Sequence, residues 1–301
     1  MAVVLMAGSS GFLGTSLIER LRAGGHEVRR LVRRETREPD EIRWDPAAGS
    51  LDAAALEGVT HVLNLAGAGV GDRRWTPARK QTILSSRVSS TTLLARRIAE
   101  CGNRELALVN ASAVGFYGDA GEQVCTEDTP AGDSFLAEVC RAWEQAADPA
   151  RAAGNRVVHL RTGIVLDPSG GALARMMPLI RFGLAGPLGN GRQWWPWITR
   201  EDVLGAIEHL LLSTETAGPV NLSAPESLRN REVVAALAAA AGRPAVLPAP
   251  RPALRLALGE FATELTASQR AVPAALQQSG YEFVWPEIGP AAAHLMSARS
   301  T

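Results

Sequence analysis

The chain begins with a short apolar run, Ala2-Val-Val-Leu-Met-Ala7, which is followed at once by Gly8-Ser-Ser-Gly11-Phe-Leu-Gly14. The apolar run has the length and composition of a buried strand, and the residues after the glycines have the periodicity of a helix. Glycines at this spacing between a strand and a helix are typical of a loop that binds the pyrophosphate of a dinucleotide. We therefore expect a dinucleotide cofactor at this loop.

The three glycines have separate physical roles in such a loop. Gly8 would permit a sharp turn, Gly11 would let the backbone approach the pyrophosphate, and Gly14 would let helix and strand pack closely. The N–H groups at the start of the helix would donate to the phosphates. A tight turn with unrelated glycines is the alternative. The expected cofactor contacts in this loop are Gly8, Ser10, Gly11, Phe12, Leu13 and Gly14.

Short apolar runs alternate with helical segments through the first half of the chain. This alternation requires crossover connections and therefore predicts a Rossmann-type, doubly wound parallel sheet of the α/β class. We expect this dinucleotide-binding domain over 1–166, rejoined by 199–225, and a smaller, mostly C-terminal substrate-side domain over 167–301. Expected strands lie at 2–7, 27–32, 41–44, 60–65, 106–111 and 156–161, with helices at 77–100 and 133–153.

Two further signals support the rejoining segment. Thr199 is placed to cap a helix, with Asp202 three residues later. Residues 219–222 then resume strand character and could return to the sheet.

The second predicted strand ends in Arg33-Arg34, where a site that prefers NAD would carry Asp or Glu. A guanidinium suits the additional 2′-phosphate of NADP because it combines positive charge with a fork of donors. We therefore expect NADP(H), with Arg33 as the better candidate of the two. Two solvated arginines on a turn are the alternative.

Composition excludes several classes of protein. The 301 residues carry 31 basic and 31 acidic side chains and are 46% hydrophobic, which is typical of a folded chain without a basic field for nucleic acid. Three scattered cysteines suggest free thiols, and five scattered histidines suggest no metal site. No apolar run approaches the roughly 20 residues of a membrane span, so we expect none. The apolar opening stops at Gly8 and lacks a basic n-region, so we expect no signal peptide. We expect a cytoplasmic monomer or homodimer with a small-molecule substrate.

Many short stretches, taken in order, resemble the extended short-chain dehydrogenase/reductases, and in particular the epimerase-like SDR39U1-type branch with its C-terminal domain. The stretches include Asn64-Leu-Ala-Gly67, Ser112-Ala-Val-Gly-Phe-Tyr117-Gly118, Arg161-Thr-Gly163 and Gln269-Arg-Ala-Val-Pro273. The resemblance implies that NADP binds with Asp45 near the adenine and that Leu65, Ala66 and Gly67 line the cofactor. We add Ser112 and Gly163 to the expected cofactor contacts.

The same resemblance exposes a departure from the superfamily pattern. Its catalytic members use Tyr-x-x-x-Lys, in which the lysine lowers the pKa of a proton-transferring tyrosine. Alignment on Glu144 puts Leu136 at the tyrosine position and Cys140 at the lysine position. The partner serine or threonine falls on Ala113, one residue from Ser112.

Ser112 and Tyr117 are therefore our catalytic candidates. Tyr117 could transfer a proton if Arg74, Lys80 or Arg87 approached it, or it could be a packed ring with a satisfied hydroxyl. Those cations could instead bind an anionic substrate or face solvent. Trp194, Trp195 and Trp197 could form a stacking wall or belong to the core. Cys140 is expected to be an inert buried thiol.

Three functions remain open at this point. The first is an NADP(H)-binding, epimerase-like oxidoreductase without the usual dyad, acting on a nucleotide sugar or another small carbonyl or hydroxyl compound. The second is a non-catalytic NADP(H)-binding sensor or scaffold. A hydrolase or transferase that reuses the fold ranks last, because no motif supports it.

Overall fold

The computed structural model describes residues 1–212 and 214–297. Its strands are β1 (Val3–Ala7), β2 (Glu27–Val32), β3 (Glu41–Asp45), β4 (Ser50–Leu51), β5 (His61–Asn64), β6 (Ala107–Ala113), β7 (Val124–Cys125), β8 (Val157–Thr162), β9 (Ile164–Asp167), β10 (Trp194–Trp195), β11 (Trp197–Thr199), β12 (Gly218–Leu222), β13 (Leu228–Arg229) and β14 (Arg270–Ala271). Its α-helices are α1 (Phe12–Ala23), α2 (Pro77–Cys101), α3 (Phe135–Gln145), α4 (Asp148–Ala152), α5 (Gly171–Arg181), α6 (Arg200–Leu212), α7 (Asn230–Ala240), α8 (Arg251–Leu258), α9 (Phe261–Leu265), α10 (Ala274–Gln278) and α11 (Ile288–Ser297).

The main sheet has the order β12-β8-β6-β5-β1-β2-β3-β4 within the described residues. Every pairing in it is parallel except that of β3 with the two-residue β4. The chain runs outward from β1 through β2 and β3, then returns to the other side of β1 with β5. The order therefore reverses between β1 and β5, and this reversal is the switch point at which such sheets bind ligands.

Strand register brings the carboxyl ends of the central strands to one edge. Ala7 lies opposite both Leu31 and Asn64, and Asn64 lies opposite Asn110. The segments that follow β1, β2, β5 and β6 therefore begin at the same level. The sequence-predicted parallel sheet and the return of β12 beside β8 are confirmed.

Two apolar cores cover the two faces of the sheet. One core contains Met6 of β1 with helical leucines of α1 and α6, and the other contains Leu5 of β1 with residues of α2 and α4. Successive side chains of β1 enter opposite cores because side chains alternate along a strand. The fold is doubly wound, as predicted.

The expected start of α6 is also confirmed. The Asp202 backbone N–H donates to Thr199 Oγ1 at 3.1 Å, while the Thr199 hydroxyl donates to the Asp202 carboxylate at 2.9 Å. The buried Asp202 carboxylate also accepts the N–H groups of Val284 and Trp285. This carboxylate therefore fixes the C-terminal segment to the sheet domain.

The prediction of a single helix over 133–153 is wrong, because the helix is interrupted. The chain instead forms α3 and α4, separated at Ala146 and Ala147. Pro149 lies in the first turn of α4, where it requires no N–H partner, whereas inside one continuous helix it would remove a hydrogen bond.

A third apolar core lies under the later part of the chain and is formed mainly by α5, α7 and α11. Trp195 and Trp197 are buried in it, which confirms the core-packing alternative for these two rings. Trp194 lies between the guanidinium groups of Arg229 and Arg270. In the part of the chain that the structure describes, no helix combines the length and apolar character that crossing a bilayer requires.

Candidate functional site

The glycine loop packs against the end of β5 across the switch point. Gly8 has a φ of +82°, and a Cβ built on it would lie 2.6 Å from the Leu65 carbonyl carbon. A Cβ on Gly14 would lie 2.2 Å from the Gly8 carbonyl oxygen. Both positions therefore require glycine, for the turn and for close packing respectively.

The first turn of α1 leaves backbone donors free. Gly11 is the N-cap, no side chain caps the helix, and the first turn contains no acidic residue. The N–H of Thr15 donates to the Gly11 carbonyl, whereas the N–H groups of Phe12, Leu13 and Gly14 have no acceptor among the described residues. These donors and the positive end of the helix dipole form a site suited to an anion such as pyrophosphate.

The segment before α5 packs over Phe12. A Cβ on Gly170 would lie 2.3 Å from the Phe12 ring, so a larger residue would displace one of them. The Arg200 guanidinium also lies over the Phe12 ring, 5.4 Å from its centre, and pairs with Asp167 at 2.9 Å. The start of α1 is therefore held between the glycine loop and the later part of the chain.

The two arginines after β2 have different environments. Arg34 forms a bidentate ion pair with Glu41, at 2.6 and 2.8 Å, and this contact lowers the pKa of Glu41 to about 2. The exposed Arg33 side chain has no hydrogen bond or ion pair with any described residue. Arg33 can therefore meet an external phosphate without breaking a contact, whereas Arg34 cannot.

Asp45 ends β3 at an exposed position. Its carboxylate accepts the N–H groups of Ala47 and Ala48, at 2.9 and 3.1 Å, and so fixes the turn into β4. Its implied place near the adenine stays a prediction.

A buried polar network fixes the segment after β5. The Asn64 amide donates to Thr91 and Asn110 at 2.9 and 2.8 Å, and its oxygen accepts the N–H of Ala66. The indole N–H of Trp143 donates to the same Thr91 hydroxyl. The backbone from Leu65 to Gly67 is thus held in place by side chains of α2, α3 and β6.

Gly163, the remaining expected cofactor contact, lies where β8 leaves the main sheet. A Cβ there would lie 2.2 Å from the Pro196 carbonyl oxygen and 3.0 Å from that of Leu222. Glycine is required here by the close approach of two backbone segments. A cofactor contact at this position stays a prediction.

Ser112 belongs to a second buried network. Its hydroxyl donates to Glu144 at 2.7 Å, and Glu144 forms a bidentate pair with Arg161, with both contacts at 2.9 Å. Ser112 and Arg161 are each 4% exposed. The hydroxyl is therefore already engaged, and its catalytic role stays a prediction.

Tyr117 lies in the same network. Arg161 donates to its oxygen at 3.1 Å, and the tyrosine hydroxyl is 2.7 Å from the Asn221 amide oxygen. Burial raises the pKa of Tyr117 to about 12. The cation beside this ring is thus Arg161 rather than Arg74, Lys80 or Arg87, and the geometry favours the packed, satisfied hydroxyl.

The two dyad positions carry no proton-transfer chemistry. The Leu136 Cβ lies 3.3 Å from where a Cβ on Gly115 would stand, so the side chain fills the space next to Gly115, just after β6. Cys140 is buried, and its burial raises the pKa of the thiol to about 12. A thiol with that pKa is neutral at physiological pH and is a poor nucleophile.

Of the three cations that the sequence suggested, Arg87 lies against Gly67, one of the expected cofactor contacts. Its Nη1 donates to the carbonyl oxygens of Ala68 and Ile83 at 2.8 and 3.1 Å, and its guanidinium lies 4.8 Å from the Trp143 ring centre. A Cβ on Gly67 would lie 3.1 Å from the guanidinium carbon. The cation therefore covers Gly67.

The other two cations that the sequence suggested contact the C-terminal region. Lys80 pairs with Glu260, and Arg74 donates to the carbonyl oxygens of Leu256 and Ala257. Nearby, burial raises the pKa of Glu264, which accepts a hydrogen bond from Ser134 at 3.4 Å.

Sequence reasoning missed the roles of Arg161, Asn221 and Glu264, because each contacts partners more than 15 residues away along the chain. Within 1–212 and 214–297, no cluster of three His, Cys, Asp or Glu side chains could hold a metal ion.

The fold, the switch point and the glycine loop together define a Rossmann-type α/β protein. The family model described as the NAD dependent epimerase/dehydratase family matches residues 4–223, and a model described as Domain of unknown function (DUF1731) matches residues 249–295. The chain belongs to the NAD dependent epimerase/dehydratase family.

Known proteins extend the resemblance over the whole chain. The "Epimerase family protein MT2273" of Mycobacterium tuberculosis is 44% identical over 96% of this chain and 96% of its own length. The crystal structure of the human epimerase family protein SDR39U1 with NADPH has a TM-score of 0.88 at 33% identity, covering 98% of this chain and 99% of that one. A structure described as a nucleoside-diphosphate sugar epimerase from Corynebacterium glutamicum has a TM-score of 0.80 at 35% identity, covering 98% of this chain and 58% of that one.

Proposed function

We propose that this chain binds NADP(H) at the switch point and acts as an epimerase-like oxidoreductase on a small molecule, with residues after 166 forming most of the substrate side. The observation that carries the proposal is the first turn of α1, whose free N–H groups face the glycine loop. The unpaired Arg33 beside this loop supports NADP(H) over NAD(H). The NADPH in the human relative's structure is consistent with this preference.

The residues present fit the cofactor. Gly8, Gly11 and Gly14 leave room at the start of α1, where a larger side chain would crowd the loop. The N–H groups of α1 would hold the pyrophosphate, Arg33 the 2′-phosphate, and Leu65 to Gly67 the opposite wall of the crevice. When bound, the cofactor supplies hydride transfer, and the protein must supply binding, orientation and a proton path.

The first test is calorimetric titration of the purified protein with NADPH and NADH. We expect heat from NADPH and a clearly lower affinity for NADH. Protein that binds neither dinucleotide would contradict the proposal. A screen of carbonyl compounds and nucleotide sugars for NADPH oxidation would then test catalysis.

A second function is a non-catalytic NADP(H)-binding sensor or scaffold. Specific observations favour it: Leu136 and Cys140 occupy the dyad positions, and the hydroxyls of Ser112 and Tyr117 are already engaged. Inertness of NADPH-loaded protein throughout the substrate screen would support this function. Turnover would contradict it.

A further inference from the structure

Arg87 carries a positive charge that no carboxylate balances among the described residues. Its partners there are two carbonyl oxygens and the Trp143 ring, while Nε and Nη2 have no hydrogen-bond acceptor. Burial lowers the pKa of Arg87, and the neighbouring Arg79 adds further positive charge. Charges that proteins withdraw from water are ordinarily paired, so this half-buried, unpaired guanidinium beside Gly67 points to a ligand whose charge it affects.

The position of Arg87 identifies which half of a dinucleotide it would affect. Arg33 lies beyond β2, on one side of the switch point, whereas the guanidinium of Arg87 covers Gly67, which follows β5 on the other side. A dinucleotide that crosses the switch point with its adenosine half toward Arg33 has its nicotinamide half on the β5 side. Arg87 is therefore a fixed cation on the nicotinamide side.

We propose that Arg87 makes the site selective for the reduced cofactor. The oxidised nicotinamide ring is cationic and the reduced ring is neutral, so a fixed guanidinium disfavours the oxidised form alone. This inference rests on the proposed binding of NADP(H). Repulsion between two unit charges in a partly buried site is strong enough to change an affinity by about tenfold.

The test is calorimetric titration of wild type, Arg87→Met and Arg87→Lys with NADPH, NADP⁺ and adenosine 2′,5′-bisphosphate at one fixed ionic strength. We expect wild type to bind NADPH about tenfold more tightly than NADP⁺. Arg87→Met should reduce this ratio severalfold, and Arg87→Lys should retain most of it. Affinity for the bisphosphate, which probes only the adenosine half, should stay unchanged in all three proteins.

Arg96→Met is the matched control, because Arg96 is an exposed arginine on the same helix. It should leave the ratio unchanged. Equal affinities of wild type for the two dinucleotides, or an unchanged ratio in Arg87→Met, would overturn the inference while the proposed function stood. Failure of all three probes to bind wild type would overturn the proposed function and this inference with it. If Arg87→Met does not fold, equal affinities of wild type for NADPH and NADP⁺ still overturn the inference, and Arg87→Lys still tests whether a cation at this position retains the ratio.

Discussion

The two sides of the switch point differ in how their polar groups are used. On the β1–β2 side, the N–H groups of the first three residues of α1 and the guanidinium of Arg33 have no partners among the described residues. On the β6–α3 side, Ser112, Tyr117 and Glu144 already satisfy one another or Arg161. Free donors are suited to a ligand, whereas satisfied buried groups stabilise the fold. Cofactor binding and proton transfer are therefore separate properties of this scaffold, and the geometry retains the first more clearly.

The largest expected effect tests whether the buried network of Ser112, Tyr117, Glu144 and Arg161, here called the β6–α3 network, stabilises the fold. Glu144→Gln removes the charge that pairs with the buried Arg161, and breaking such a pair costs about 3–5 kcal/mol. We expect a loss of this size in the free energy of unfolding, measured by urea denaturation.

The matched control for that pair is on the surface. Arg97 and Glu100 form an ion pair at 2.7 Å, but the Glu100 side chain is 59% exposed. Glu100→Gln should therefore cost less than about 1 kcal/mol. Equal costs for the two substitutions would mean that the buried network contributes no more than a solvated pair.

The next effect tests the glycine loop itself. Gly8→Ala combines a positive φ with a Cβ only 2.6 Å from the Leu65 backbone, whereas Gly25 has a similar φ of +77° and open space around it. We expect Gly25→Ala to cost about 1 kcal/mol for the backbone conformation alone. Gly8→Ala should cost roughly 2 kcal/mol more and should weaken NADPH binding. Equal unfolding free energies for the two variants would contradict the close packing of Gly8 on β5.

The contrast between the two sides also explains what sequence could predict. The glycine loop, the central strands and the Thr199–Asp202 cap are local patterns, because each is set by residues within a few positions of one another. The break between α3 and α4 was missed because the alanines on both sides of Pro149 favour a helix. The partners of Ser112 and Tyr117 could not be predicted. Glu144 reaches Ser112, and Arg161 and Asn221 reach Tyr117, only after the sheet has formed.

A smaller effect is the pH dependence of stability that we expect from His159, which lies on the face of the sheet that carries α3 and α4. Burial lowers the pKa of His159 to about 4, and its Nδ1 has no partner among the described residues. The unfolded chain, in which histidine has a pKa near 6.5, therefore binds the proton more tightly. Stability is full above about pH 6.5 and is lost as pH falls toward 4, with a loss of about 2 kcal/mol by pH 5.

His159→Leu removes this proton linkage. When the pH falls from 7.5 to 5, we expect the unfolding free energy of wild type to fall by about 2 kcal/mol more than that of the variant. Urea denaturation at the two pH values measures it. A difference that stays constant across this range would show that His159 is not buried as a neutral side chain.

The smallest expected change in free energy tests whether Arg33 binds the 2′-phosphate of the cofactor. Arg33→Asp replaces the unpaired guanidinium with a charge that repels phosphate, so NADPH affinity should fall by about tenfold while NADH affinity changes little. The two affinities are measured by calorimetric titration. Arg34→Gln is the comparison, because Arg34 is engaged with Glu41 and should leave the NADPH-to-NADH ratio unchanged. An NADPH-to-NADH affinity ratio that changes in Arg34→Gln and not in Arg33→Asp would contradict this assignment. It would show that the cofactor is selected by Arg34, which the ligand must then separate from Glu41, and not by the unpaired Arg33.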